Sequence, residues 1–177
     1  MEIHRHPTLT RMGARVGQQP QVPAPGKNEK KVVYGGVDYK TGKPTYALAD
    51  SKCGAAFLVF LIALVSAYAG RKIRLVCDNG RFHTTQAVQA WLAEHADPIE
   101  VFWLPPYSRS LNLIARLWAH LKRTILANVL SANLDNLVAA FRLGVRRLTG
   151  NPERMGFMFD HDDLIRHKPQ TSRRSAA

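Results

Sequence analysis

A chain of 177 residues with 46% apolar and 8% aromatic residues can bury one sizeable core, which excludes a fully disordered protein. Lys and Arg outnumber Asp and Glu by 25 to 13, and the net charge of +12 gives a field that attracts polyanions. Two cysteines, Cys53 and Cys77, are too few for a disulfide framework or a zinc cluster and point to a reducing, cytoplasmic setting. MEIHRHPTL has no apolar core of the kind a secretory signal carries.

The first 31 residues hold Pro7, Pro20, Pro23, Pro25, Gly13, Gly17 and Gly26, a spacing of breakers that predicts an extended arm with no core of its own. Residues 32–150 read as the folded domain and 151–177 as a C-terminal tail. The run KVVYGGVD, the turn YKTGK and the run TYALAD predict two antiparallel strands ending at Asp38 and Asp50. Cys53 to Ala69 follows as an apolar helix. Its segment GAAFLVFLIALV raises the alternative of a membrane-associated peptide, but it falls short of the roughly 20 residues that a bilayer span needs, and a core helix is expected.

Ile73 to Cys77 is nearly continuous in apolar residues and reads as a central strand covered on both faces. Thr84 is placed to cap a helix carrying Ala87, Val88, Trp91 and Leu92 on one face, ending near His95. Ile99 to Leu104 is a short strand stopped by Pro105 and Pro106. Ile114, Leu117, Trp118, Leu121 and Ile125 then share one stripe of a third helix, with Ser110 or Asn112 available as its cap. Leu134, Leu137, Val138, Phe141, Val145 and Leu148 mark a fourth, closed by Gly150 and Pro152. This alternation indicates an α/β fold whose mixed sheet ends in parallel strands joined by crossover helices.

The charge is unevenly placed. Residues 105–150 carry net +6, with seven basic residues against the single acid Asp135, whereas residues 32–104 carry only +1. Arg116, Lys122 and Arg123 lie on and beside the polar face of the third helix, where they either contact nucleic-acid phosphates or form a solvated face. Asp78 stands at the carboxyl end of a central strand, where ligands of open α/β sheets gather. A carboxylate there can hold a divalent metal, and Asp78-Asn79-Gly80 also reads simply as a turn.

The block LVCDNGRFHTTQAVQAWLAEH followed by FWLPPYSRSLNLIARLWAHLKR resembles the DDE transposases of the mariner-like superfamily, in particular their bacterial insertion-sequence branch. The family pattern is D-N-x-x-x-H, then L-P-P-Y-S-P-E-L-N-P-I-E-x-x-W-x-x-L-K. PTLTRMGARVGQQPQVPAPGKN and VVYGGVDYKTGK also resemble the family's approach to its second strand, so the likeness covers about residues 1–130.

The resemblance implies a ribonuclease-H-like mixed sheet flanked by helices, with three acids around two Mg2+ or Mn2+ ions that cut and join DNA strands. Asp78 matches the second acid and is the implied catalytic and metal-binding residue. Ala115 of NLIA stands where the family has its Glu, and alanine ligates nothing. The family's first acid falls just before a stretch like MEIHRHPTL, so the first strand is expected to be largely missing and the metal weak or absent. Arg109, Ser110, Leu113 and Gly13 replace the family's Pro, Glu, Pro and Trp.

His83, Tyr107, Ser108, Asn112, Arg116, Lys122 and Arg123 are the implied DNA contacts. DNA is the expected partner, with neither a membrane nor a small-molecule substrate. Two functions follow: a strand-cleavage and transfer domain that is inactive in this chain, or a non-enzymatic remnant that binds DNA without sequence preference. An enzyme completed by carboxylates from an upstream segment or a partner chain is a further alternative. Glu2, Asp38, Asp50 and the group Asp160, Asp162, Asp163 with His161 are weaker candidates for replacement acids. An open edge on Val32 to Asp38 predicts homodimerisation or aggregation, or its partial covering by residues 1–12.

Overall fold

The computed structural model describes residues 1–149, apart from positions 12, 19, 20, 24, 25, 107, 109, 110, 130 and 132. Strand β1 (Glu2–His4) pairs antiparallel with β2 (Lys30–Val37), and β2 pairs antiparallel with β3 (Pro44–Ala49) in the register Val33↔Leu48. Helix α1 (Gly54–Ala67), strand β4 (Ile73–Cys77), a 3-10 turn (Arg81–Thr84), helix α2 (Gln86–Glu94) and strand β5 (Ile99–Trp103) follow. Helices α3 (Leu113–Thr124) and α4 (Leu134–Thr149) complete the described order. β4 and β5 run parallel, as the intervening helix requires, but form a sheet of their own rather than joining the first three strands.

Side chains alternate across a strand, and β2 uses that alternation to serve two cores. Val33 faces α3 and α4 together with Ile3, Leu117, Trp118 and Phe141. Val32 and Tyr34 face α1, where Phe57, Phe60 and Leu61 bury. The Tyr34 hydroxyl accepts the Cys53 N–H at 2.9 Å and lies 3.1 Å from the Cys53 carbonyl, so it fixes the chain where α1 begins. The expected stripe of α3 is observed, with Ile114, Leu117, Trp118 and Leu121 all buried. Among the described residues no helix is long and apolar enough to cross a membrane.

Several expectations need correction. Residues 1–31 are tied to the domain rather than free of it: Ile3, 1% exposed, packs in the core of α3 and α4, and Thr8 bridges Ala127 while Asn128, at a φ of 56°, binds both Thr8 and Thr10. β4 is covered on one face only, with Val76 52% exposed. Thr84 does not cap α2; it ends the 3-10 turn, and Thr85 is the first flanking residue, without a side-chain cap bond. Asn112 occupies the cap position of α3 without bonding through its side chain. Ser110, the end of α4 at Gly150 and Pro152, and the tail from 151 lie outside the described residues.

Gly35 and Gly36 differ sharply in what surrounds them. A Cβ on Gly35 would lie 2.5 Å from the Trp118 ring, whereas on Gly36 it would meet Phe60 at an ordinary 3.6 Å. Gly35→Ala is therefore expected to destabilise the fold by about 1–3 kcal/mol through overpacking, and Gly36→Ala by clearly less. Equal melting shifts for the two variants would show that Trp118 does not press on β2.

Candidate metal and nucleic-acid site

A cleft of about 1020 Å³ opens between β2 and β4 and is closed by the start of α3. Asp78 enters it from the end of β4, Asn112 and Ala115 from the first turn of α3, and Lys122 from farther along the same helix. His83 and Lys52 complete the wall near Asp78. The helical spacing of positions 115, 118 and 122 puts them on one side of α3. Arg116 and Arg123 are not among the cleft-lining residues.

Local bonding explains how Asp78 is held. The Asn79 amide donates to the Leu104 carbonyl at 2.6 Å and the Leu104 N–H donates to the Cys77 carbonyl at 2.8 Å, which ties the ends of β4 and β5 together. One Asp78 carboxylate oxygen accepts the Gly80 N–H at 3.2 Å, as in an Asx turn. His83 Nδ1 lies 2.9 Å from the Asp78 carbonyl oxygen and 3.1 Å from its carboxylate. Two oxygen acceptors at one nitrogen favour the tautomer protonated at Nδ1. The turn and the site readings of Asp78-Asn79-Gly80 therefore coincide: the turn presents the carboxylate, whose side chain is 48% exposed, to the cleft.

Burial pushes the His83 imidazole below its ordinary pKa; Asp78 opposes that shift and Lys52 adds to it. Lys52 also sits 4.7 Å above the Phe82 ring. No motif marked Lys52 in the sequence, because it becomes a neighbour of His83 only when α1 packs over the 3-10 turn. Cys77, buried behind Asp78, has its thiol pKa pushed up to about 12 by desolvation and then by the Asp78 charge. Burial thus keeps the Cys77 thiol neutral and unreactive at neutral pH.

Of the other candidate acids, Glu2 and Asp38 line the same cleft as Asp78 but are engaged by other groups, and Asp50 does not line it. Glu2 lies 3.2 Å from both Lys30 and His4. Asp38 accepts the Lys40 N–H at 2.8 Å and the Tyr68 hydroxyl at 3.3 Å, and Asp50 pairs with Lys31. Among the described residues no three His, Cys, Asp or Glu side chains come together as a metal site. A pair of divalent ions needs several hard oxygen donors, and Asp78 opposite an alanine, with Glu2 and Asp38 of the same cleft engaged by Lys30, Lys40 and Tyr68, does not fit that demand. Ser108 bonds back to Pro106 within its loop and does not reach the cleft. Tyr107 and Arg109, like the acidic group 160–163, lie outside the described residues.

A parallel strand pair with a carboxylate at its end, beside an antiparallel three-stranded sheet and between helices, defines a ribonuclease-H-like domain. Solved structures bear out the fold. The chain resembles the Mos1 transposase in its paired-end complex with the left transposon end, with a TM-score of 0.57 and 19% identity over 89% of this chain and 52% of the other. The Mos1 mariner paired end complex with Mn gives 0.55 and 18% over 91% and 55%. The simian T-cell lymphotropic virus intasome gives 0.51 and 16% over 66% and 41%.

The sequence profile of the DDE superfamily endonucleases matches residues 1–138, and the chain belongs to that family. It is also 33% identical over 143 residues to the insertion element IS630 uncharacterized 39 kDa protein of Shigella sonnei. That match covers 80% of this chain and 41% of the relative, so the chain spans well under half of the relative's length.

The lowered pKa of His83 sets a pH signature. The unfolded imidazole binds its proton more tightly, so the His83 contribution is fully present above about pH 6.5 and is lost as pH falls through the lower folded value. Between about pH 7.5 and 5.5 the native chain should lose more melting temperature than the His83→Asn variant, which keeps a donor near Asp78. Parallel pH profiles for the two proteins would rule out a buried neutral imidazole.

Proposed function

We propose that this chain is a DNA-binding domain of the transposase type whose strand-cleaving and strand-transfer centre carries Ala115 in place of the family's glutamate, leaving it without catalytic activity of its own. The observation that carries the reading is Ala115: it lines the same cleft as Asp78, at the position where the resemblance places the family's glutamate. Two divalent ions about 4 Å apart repel by roughly 17 kcal/mol at an effective dielectric near 20. Asp78 offsets only a small part of that, so Mg2+ or Mn2+ binds weakly and singly.

DNA engages the basic surface of α3. Lys122 meets phosphate at the cleft that Asn112 also lines, His83, buried behind Asp78, supports that carboxylate from within, and Arg116 and Arg123 extend the contact along the helix. Tyr107 and Ser108 complete it from the preceding loop. Such contacts position a duplex without reading its bases.

Two titrations test the reading. In fluorescence anisotropy, duplexes of unrelated sequence should bind alike, with log affinity falling linearly in log salt. Replacing Arg116, Lys122 and Arg123 together by Ala should reduce the slope by about 2.7, at 0.9 per phosphate contact. Affinity for one sequence that persists at high salt would defeat an electrostatic surface. Mn2+ titration followed by electron paramagnetic resonance should count about one weak site, and two tight sites would refute the depleted centre.

A further inference from the structure

The parallel pair β4 and β5 has two unlike faces. Ile73, Leu75 and Cys77 of β4 and Ile99 and Val101 of β5 cluster with Phe60 and Leu61 of α1. Alternation along the strands sends Arg74 and Val76, with Glu100 and Phe102, to the other face. There Val76 is exposed and Phe102 is 46% exposed. The two are direct partners in the register, so an aromatic ring and a branched aliphatic side chain form one apolar spot in solvent.

Charge is arranged around that spot in order along the chain. Arg74 is the register partner of Glu100, and their charged groups lie 3.9 Å apart, with 77% of the Arg74 side chain exposed. So long and solvated a pair is worth little, and the guanidinium is free to exchange Glu100 for another anion. Lys72, two residues before Arg74, is exposed as well. In the opposite direction Asp78 follows Val76 by two residues, about 7 Å along the strand. The face thus has cations at one end, an exposed ring in the middle and the approach to Asp78 at the other. Phe102 and Glu100 do not line the Asp78 cleft, which meets this face only along β4.

The kind of partner follows from this arrangement. An apolar spot of two side chains falls far short of the roughly 800 Å² that each partner buries in a stable protein interface. A second copy of the chain also brings its own net charge of +12 against the same cations. A duplex offers phosphates to Lys72 and Arg74, but its bases are stacked on one another and leave Phe102 without a partner. An unpaired strand satisfies both features, because a free base covers the ring while neighbouring phosphates meet the cations.

We propose that the outer face of β4 and β5 is a platform for single-stranded nucleic acid. One unpaired base stacks on Phe102 against Val76, and the adjoining phosphates lie on Arg74 and Lys72, so that the strand runs along β4 toward Asp78. Every base has a π-face, so the platform accepts any unpaired base. The inference rests on the reading that the chain binds DNA and adds to it a surface for the unpaired part, distinct from the duplex surface of α3.

Fluorescence anisotropy of the full chain tests it with a blunt duplex, the same duplex carrying an unpaired thymidine tail, and free oligothymidylate. The tail should tighten binding about tenfold. Phe102→Ala should bind the blunt duplex as the native chain does and lose the gain from the tail, whereas Phe102→Trp should keep it. A tail of abasic sites, which retains the phosphates, should lose most of the gain without any change to the protein. Replacing Lys72 and Arg74 together by Ala should lower the salt slope for the tailed duplex by about 1.4, at 0.7 per single-strand phosphate, and leave that for the blunt duplex unchanged. Equal affinity for blunt and tailed duplexes would overturn the platform, as would a gain that survives Phe102→Ala or the abasic tail. Sedimentation that shows the native chain self-associating and Phe102→Ala monomeric would also overturn it, because a second copy would then cover the face. If the blunt duplex fails to bind while oligothymidylate binds and depends on Phe102, the platform stands and the duplex surface of α3 falls.

Discussion

Strand β2 is the constraint on which the rest of the structure depends, because one eight-residue segment must supply both cores and both ladders. Val33 is 1% exposed against α3 and α4, and Val32 is 2% exposed against α1. A slip of one residue would exchange the two faces and send each side chain into the wrong core. Tyr34 adds a polar tie, since its hydroxyl fixes the entry to α1, and Gly35 lets Trp118 approach the backbone. The Asp78 cleft exists because β2 and β4 are held on opposite sides of it by these two cores.

Within that frame, the chemistry of the site follows from unequal burial. Asp78 is half exposed and held by a turn, while His83 and Cys77 are both buried behind it. Desolvation therefore favours neutral forms of the imidazole and the thiol, leaving the Asp78 carboxylate as the acid displayed at the end of β4. Lys52 and Lys122 give the mouth of the cleft a positive character suited to phosphate or carboxylate. Ala115 brings no side-chain donor to the cleft that Asp78 lines.

Much of the fold was legible where the period was long or the run was bounded by breakers. The strand Ile73–Cys77 was read to the residue, and the stripe of α3 appears in the buried set Ile114, Leu117, Trp118 and Leu121. β1 has no periodicity of its own in three residues, but the open edge expected on the second strand pointed to residues 1–12 as a partial cover, and Glu2–His4 pairs there with Lys30–Val32. The 3-10 turn was missed because Phe82 and His83 tuck under Phe57 and Tyr34, a tertiary contact that overrides the capping preference of Thr84. One-sided coverage of β4 was likewise invisible, since apolar composition does not say which faces have neighbours. For the site, family resemblance picked out Asp78 and Ala115, while Lys52 emerged only from packing.

The central claim is that Asp78 alone does not make a strand-cleaving centre in this chain. Relaxation of supercoiled plasmid in Mn2+, at low salt where the DNA is saturated with protein, tests it directly. The native chain and Asp78→Ala should bind the plasmid and leave it supercoiled to the same extent. Nicked circles produced by the native chain, dependent on Mn2+ and lost in Asp78→Ala, would contradict the account and require Glu2 or Asp38, which also line the cleft, to complete the site.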